Sequence, residues 1–217
     1  MKIQKYYHSC IGIEKDGKRL LIDPGSLALS EGKLSVEDIG AVDAILLTHK
    51  HLDHYDPVVL RALMQLANPV IITHQEVGAE LRRASIPYEP IEALTGLQAA
   101  GFTIQAFQAP HGPIPAAVPY NLAYSIDGTV FHPGDSIEAY PDKRYPILLL
   151  PIAGPWLRLI DALAYAKKLQ PRTVIPIHDG IIRNFMLQRM YDNMCHPQFE
   201  EAGIEFRPLA PHEFLET

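Results

Sequence analysis

The chain has 217 residues, 47% of them apolar and 20% charged, with a formal net charge of −6. That length suffices for one domain over residues 1–217 with a substantial core, and the acidic balance excludes the basic face that gripping nucleic acid requires. Two cysteines, Cys10 and Cys195, cannot staple a secreted scaffold and read as free thiols in a reducing compartment.

Lys2 to Tyr7, Cys10 to Glu14 and Arg19 to Asp23 alternate like antiparallel strands. The last two meet at Asp16–Gly17, where glycine accepts the positive φ of a tight turn. DPGSLALSEGK reads as a loop. SVEDI opens with a capping box, Ser35 paired with Asp38 three residues on. AVDAILLTH reads as a buried strand. Asp56 as N-cap and Pro57 at the first helical position start a helix that Pro69 limits. VIIT is a further strand, followed by a helix over Gln75 to Ala84. GFTIQAFQAP, NLAYSI, the Asp127–Gly128 turn and TVFHPGD form a β-rich region. YPILLLPI and TVIPIH read as late strands, Leu157 to Leu169 and Arg183 to Cys195 as helices. Strand–helix alternation in both halves, with no linker or repeat between them, predicts a layered α/β protein of two facing sheets with helices outside. No run approaches the roughly 20 apolar residues that span a bilayer. The N-terminus has no apolar core behind its lysines, so a cytoplasmic location is expected.

Chemistry concentrates in LLTHKHLDHYD, residues 46–56, where three histidines and two aspartates crowd together. Along an extended segment His49, His51 and Asp53 share a face, and a turn must swing His54 back to them. Ligand-type residues at the end of a buried strand occupy the usual place for an α/β site. Four such residues exceed the three that a catalytic zinc takes from protein, which points to two metals and to further ligands elsewhere. QAPHGP offers His111, FHPGDS offers Asp135 and IPIHDG offers His178, each just past a predicted strand and flanked by Gly or Pro.

The order H-x-H-x-D-H … H … D … H resembles the pattern of the metallo-β-lactamase fold superfamily, over most of the chain. HSCIGIE and LIDPG resemble its short branch of metal-dependent hydrolases, which includes ascorbate-6-phosphate lactonase-like proteins. The resemblance implies a four-layer αβ/βα sandwich, two facing mixed sheets with helices outside. It implies two divalent metal ions, the first on His49, His51 and His111, the second on Asp53, His54 and His178, with Asp135 bridging them. Asp23 would support the metal loop. Ser136 departs from the threonine usual after the bridging aspartate but retains a hydroxyl. Imidazole and carboxylate ligands suit zinc first, then manganese, with iron or nickel as alternatives.

The expected function is cleavage of a small, anionic ester or lactone by a metal-bridging hydroxide, with Asp53 orienting it and accepting its proton. A phosphodiesterase on the same site and a non-catalytic metal-binding protein are the alternatives. The expected partner is a small-molecule substrate, with no nucleic acid and no membrane; homo-oligomerisation stays open. His8 in YYHSC reads either as a second-shell or substrate-contacting group in the cleft or as a packed strand residue. His132 is expected to pack beneath its loop or point away, and His74, His196 and His212 to sit at the surface. Trp156, Arg158, Arg183 and Tyr191 lie near the loops after Pro151 and His178 and could line the pocket.

Overall fold

Apolar alternation in the N-terminal half and continuous apolar runs in the parallel strands set the layers of this chain. The computed structural model describes residues 1–30, 32, 34–210 and 213–217. The first sheet begins with β1 (Lys2–Tyr7), β2 (Cys10–Lys15) and β3 (Lys18–Ile22), which pair antiparallel. It continues in parallel through β4 (Ala44–Leu46), β5 (Val70–Thr73) and β6 (Glu89–Pro90). The second sheet repeats the plan. β7 (Gly96–Ala99), β8 (Phe102–Gln108), β9 (Leu122–Ile126) and β10 (Val130–His132) form an antiparallel run. β11 (Ile147–Pro151), β12 (Thr173–Ile177) and β13 (Glu205–Phe206) extend it in parallel. β14 (Phe214–Glu216) returns to the outer edge of β1 and makes both sheets seven-stranded.

Pleating divides each strand between two interfaces. Leu20 and Ile22 of β3 face the second sheet, packing with Ile104, Tyr124, Leu149 and Ile177. Leu21, between them, faces the helices with Ile45, Leu60 and Leu81. The helices on that side are α1 (Leu27–Ser30), α2 (Val36–Ile39), α3 (Pro57–Leu66) and α4 (Gln75–Arg83). α5 (Leu159–Leu169), α6 (Asn184–Met190) and α7 (His196–Glu201) follow in the second half, and α5 and α7 cover the second sheet through Leu163, Ala166 and Phe199. The result is the expected helix–sheet–sheet–helix sandwich.

Several local expectations hold at the atomic level. Ser35 and Asp38 form the capping box of α2, and the Asp56 side chain accepts from Val58 N at the start of α3. Differences lie where a neighbour overrides the local pattern. DPGSLALSEGK contains the short α1, and only Ala44–Leu46 of AVDAILLTH is paired as strand. The last predicted helix, Arg183 to Cys195, divides into α6 and a π turn over Tyr191–Cys195, and α7 continues past its expected end. Pro197 has no amide to donate to the carbonyl four residues back, and the register shifts just before it. His74 corrects a surface expectation: it is fully buried, caps α4 by accepting from Glu76 N, and hydrogen-bonds through Nε2 to the Thr48 carbonyl. His196 is exposed, and His212 lies outside the described residues. Cys10 and Cys195 are both free and buried. Among the described residues no helix is long and apolar enough to cross a membrane.

Candidate metal centre

The site lies where strands of both sheets end. β4 runs out through Leu47 and Thr48 to His49, and a tight turn then closes on the His51 carbonyl, which accepts from His54 N at 2.9 Å and Tyr55 N at 2.8 Å. That turn returns His54 to the face of His49 and His51. From the second sheet, β8 leads to His111, β10 to Asp135 and β12 to His178. All seven residues proposed from the sequence meet here, and His8 joins them from the turn after β1. They fall into two quartets, His49–His51–His111–Asp135 and His8–Asp53–His54–His178, each with its ligand-type atoms within 4.8 Å of one another.

Asp135 stands between the quartets. Its Oδ1 is 3.1 Å from His54 Nε2, and its Oδ2 is 3.0 Å from His178 Nε2, 3.5 Å from His111 Nε2 and 3.8 Å from His49 Nε2. Asp53 Oδ2 lies 3.3 Å from His8 Nε2 and 3.5 Å from His178 Nε2.

A layer of acceptors beneath the site orients the rings. Asp23 Oδ1 accepts from Thr48 N at 2.8 Å, and its Oδ2 accepts from Thr48 Oγ1 at 2.7 Å and His54 Nδ1 at 2.8 Å. Having given its hydrogen to Asp23, Thr48 Oγ1 accepts from His49 Nδ1 at 3.0 Å. His111 Nδ1 donates to the Gly112 carbonyl at 2.6 Å. In their neutral forms these three histidines therefore carry hydrogen on Nδ1 and turn a bare Nε2 into the cluster, the form that binds metal.

The residues fit metal ions on independent grounds. His54 Nε2, His111 Nε2, His178 Nε2 and Asp135 Oδ1 are buried and find no aligned hydrogen-bond partner in the protein, despite their closeness. Each such orphan costs about 1–3 kcal/mol, and four in one cleft is a strained arrangement that cations would relieve. Nitrogen and oxygen donors without thiolate suit zinc, manganese, iron or nickel.

Without cations the same closeness loads the cluster with protons. Burial pulls the His54 imidazole down, but the Asp135 and Asp23 carboxylates outweigh it and raise it well above its ordinary value. His178 is likewise opposed by burial and pushed up to about 9, chiefly by Asp135. Burial resists ionisation of Asp53 and Asp135, yet the surrounding imidazoles hold both carboxyls well below the usual range. His49 goes the other way, lowered by burial and then by the His54 charge.

Supporting residues that sequence reasoning missed tie the loops together. Asn121 donates to the Ala109 and Pro133 carbonyls and accepts from Asp135 N, linking the loops that carry His111 and Asp135. Gly134 (φ +61) is required there, since a Cβ would come within 2.1 Å of Asn121 Oδ1. Asp179 accepts from Lys5 Nζ and Tyr191 OH in a buried cluster beside His178. A carboxylate next to a ligand histidine was the signal available for Asp179, whereas Asn121 offered none. Of the four residues named as pocket candidates, Trp156 lies against the site, its ring 5.6 Å from His111 and 5.9 Å from His178 between centroids. Arg158 is exposed and pairs with Asp161, Arg183 is exposed, and Tyr191 binds Asp179. His132 is buried, accepts from Gly134 N, and stands 3.9 Å from Asp23 beneath the ligands.

Two mixed sheets meeting at a histidine–aspartate cleft define the metallo-β-lactamase fold, and residues 2–178 match the beta-lactamase superfamily domain, so the chain belongs to that family. It is 30% identical over 191 residues to Protein Rv0786c of Mycobacterium tuberculosis, covering 84% of this chain and 85% of that protein. It is also 30% identical over 201 residues to the UPF0173 metal-dependent hydrolase of Bacillus thuringiensis, covering 82% of this chain and 85% of that one. The fold is shared with the metallo-beta-lactamase fold protein YhfI of Bacillus subtilis, at a TM-score of 0.72 and 19% identity over 100% of this chain and 99% of that one.

Proposed function

We propose that the chain is a metal-dependent hydrolase that cleaves a small anionic ester or lactone with two divalent cations. The observation carrying this reading is the convergence of both quartets on Asp135, with buried ring nitrogens that have no other partner. The name of the Bacillus thuringiensis relative supports the hydrolase class. His49, His51 and His111 would hold one cation and Asp53, His54 and His178 the other, with Asp135 between the two sets. Two divalent cations held there would acidify a bound water and polarise the oxygen of the bond under attack.

Asp53 orients the attacking water and accepts its proton. It suits that role because it stays ionised and is the open carboxylate of the site, its side chain 27% exposed against 2% for Asp135. Asp23 and Thr48 keep the rings fixed while charge develops. The Trp156 indole walls one side beside His111 and His178. A cavity of about 430 Å³ adjoins His8 between Tyr7, Leu187, Tyr191 and Leu209, of a size for a small molecule, but none of the seven candidate ligands lines it. Charge permits an anion: two divalent cations would offset the carboxylates of Asp23, Asp53 and Asp135 together with the attacking hydroxide, leaving the loaded cleft near neutral within an acidic protein.

Metal analysis of the purified chain, coupled to a screen of a lactone, a carboxylic ester and bis(p-nitrophenyl) phosphate, tests the proposal. Two metal ions per chain and lactone or ester turnover that a chelator abolishes and zinc or manganese restores are expected. Turnover of the phosphodiester alone transfers the reading to that bond class. Absence of stoichiometric metal overturns it.

A further inference from the structure

By distance alone His8 would be the fourth ligand of the second quartet. We infer that it is instead the residue that positions Asp53, donating the hydrogen on its Nε2 to Asp53 Oδ2 and coordinating neither cation. The inference rests on the two-metal reading above and assigns His8 a role within it.

Hydrogen placement decides between the two roles. A neutral imidazole carries one hydrogen, and the nitrogen bearing it has no lone pair for a metal. His8 Nδ1 accepts the backbone N–H of Gly180 at 3.1 Å. A backbone amide can only donate, so the hydrogen of His8 sits on Nε2, 3.3 Å from a carboxylate oxygen that can only accept. His49, His54 and His111 show the reverse arrangement. Their Nδ1 atoms face acceptors, and their Nε2 atoms are left bare toward the cluster. The fold thus sorts these four histidines by what it offers to Nδ1.

The contact that sorts His8 is built deliberately. A Cβ on Gly180 would lie 2.8 Å from Tyr7 Cε1 and 3.1 Å from His8 Cβ, so only glycine brings that amide close enough. Tyr7 OH donates to the Gly180 carbonyl, and His178 N donates to the His8 carbonyl, clamping the two loops face to face. His8 itself adopts a left-handed φ of +53, which swings its ring toward Asp53 rather than along the strand. With one Oδ2 lone pair occupied by His8, Asp53 is held in a single orientation toward His54 and His178.

Long-range ¹H–¹⁵N spectra of the zinc-loaded full chain read the hydrogen directly. A protonated Nε2 and bare Nδ1 on His8, opposite to His54 and His111, are expected; a protonated Nδ1 on His8 overturns the assignment. Two variants separate positioning from mere packing. His8→Asn tolerates the left-handed backbone and keeps an acceptor for Gly180 N–H but stops short of Asp53. His8→Gln places an amide N–H at the Nε2 position. Both should retain two zinc ions per chain, with kcat falling about 10–100-fold in His8→Asn at nearly constant KM and recovering to within about fivefold in His8→Gln. Loss of one zinc in both variants makes His8 a ligand, and equal losses of kcat with both zincs kept reduce it to a packing residue. Either result overturns the inference. An inactive parent chain would defeat the hydrolase reading alone, because the spectra and zinc counts still decide the role of His8.

Discussion

The two sheets share a plan, an antiparallel run continued by parallel strands, yet they deliver their candidate ligands in different ways. The first sheet offers His49, His51, Asp53 and His54 from one strand end and one turn. The second offers His111, Asp135 and His178 singly, from the ends of β8, β10 and β12. A contiguous motif keeps its donors together through local hydrogen bonds such as His54 N to His51 O. Single residues from separate strands meet only if the sheet is in register and packed. The first half of the site is therefore a property of the chain, the second a property of the fold.

Asp135 breaks that comparison most severely, since it is the second-sheet residue that touches both quartets. Asp135→Ala should remove both cations at micromolar metal and lower kcat/KM by at least ~10³-fold, because each cation supplies several kcal/mol of transition-state stabilisation. Retention of two metals by elemental analysis would contradict the bridging role. Paired single substitutions come next. His51→Ala and His178→Ala should each abolish measurable hydrolysis but leave one metal per chain, lost from the first quartet in one case and from the second in the other. Cobalt spectra of the two variants should then differ, and identical spectra would count against two separate quartets.

The same contrast explains what could be read from sequence. HKHLDH was legible because its spacing is the geometry, and His111, Asp135 and His178 because Gly and Pro mark strand ends in the family's order. The role of His8 was not, since its decisive partner Gly180 is 172 residues away. Asn121 carries no charge or metal-ligand chemistry and acts through the carbonyls of Ala109 and Pro133, twelve residues away on each side. His74 looked like a surface histidine because nothing local announces that the Thr48 carbonyl lies above α4. β13 and β14, two and three residues long, exist only through their neighbours' edges and leave no periodic pattern.

A smaller effect sharpens the comparison by loosening the second half alone. Lys5 of β1 and Asp179 beside His178 form a buried ion pair across the two sheets, both side chains about 5% exposed. Removing one partner of such a pair costs about 3–5 kcal/mol. Asp179→Ala should lower the unfolding free energy by that amount in denaturant titration and weaken metal on the His178 quartet more than on the His51 quartet. Equal weakening would mean that the pair stabilises the fold without steadying the site.

The gentlest probe is pH, and it acts in opposite directions on the metal-free and metal-loaded chain. In the metal-free protein His178 is raised from about 6.5 to about 9, with Asp135 overcoming the penalty of burial. A group raised in the folded state contributes its full stabilisation below the unfolded value and loses it as pH climbs through the folded one. The metal-free chain should therefore lose stability between about pH 6.5 and 9. Metal requires the neutral ring, so binding must displace the same proton, and affinity should rise about tenfold per pH unit for each proton released across that window. Calorimetric titration with zinc in two buffers of different ionisation enthalpy counts those protons. Because the first quartet holds a His49 that burial keeps neutral, the release should belong to the second-quartet event and shrink in His178→Ala. An unchanged proton count in that variant, which should no longer bind the second cation, would assign the release to the first-quartet event instead.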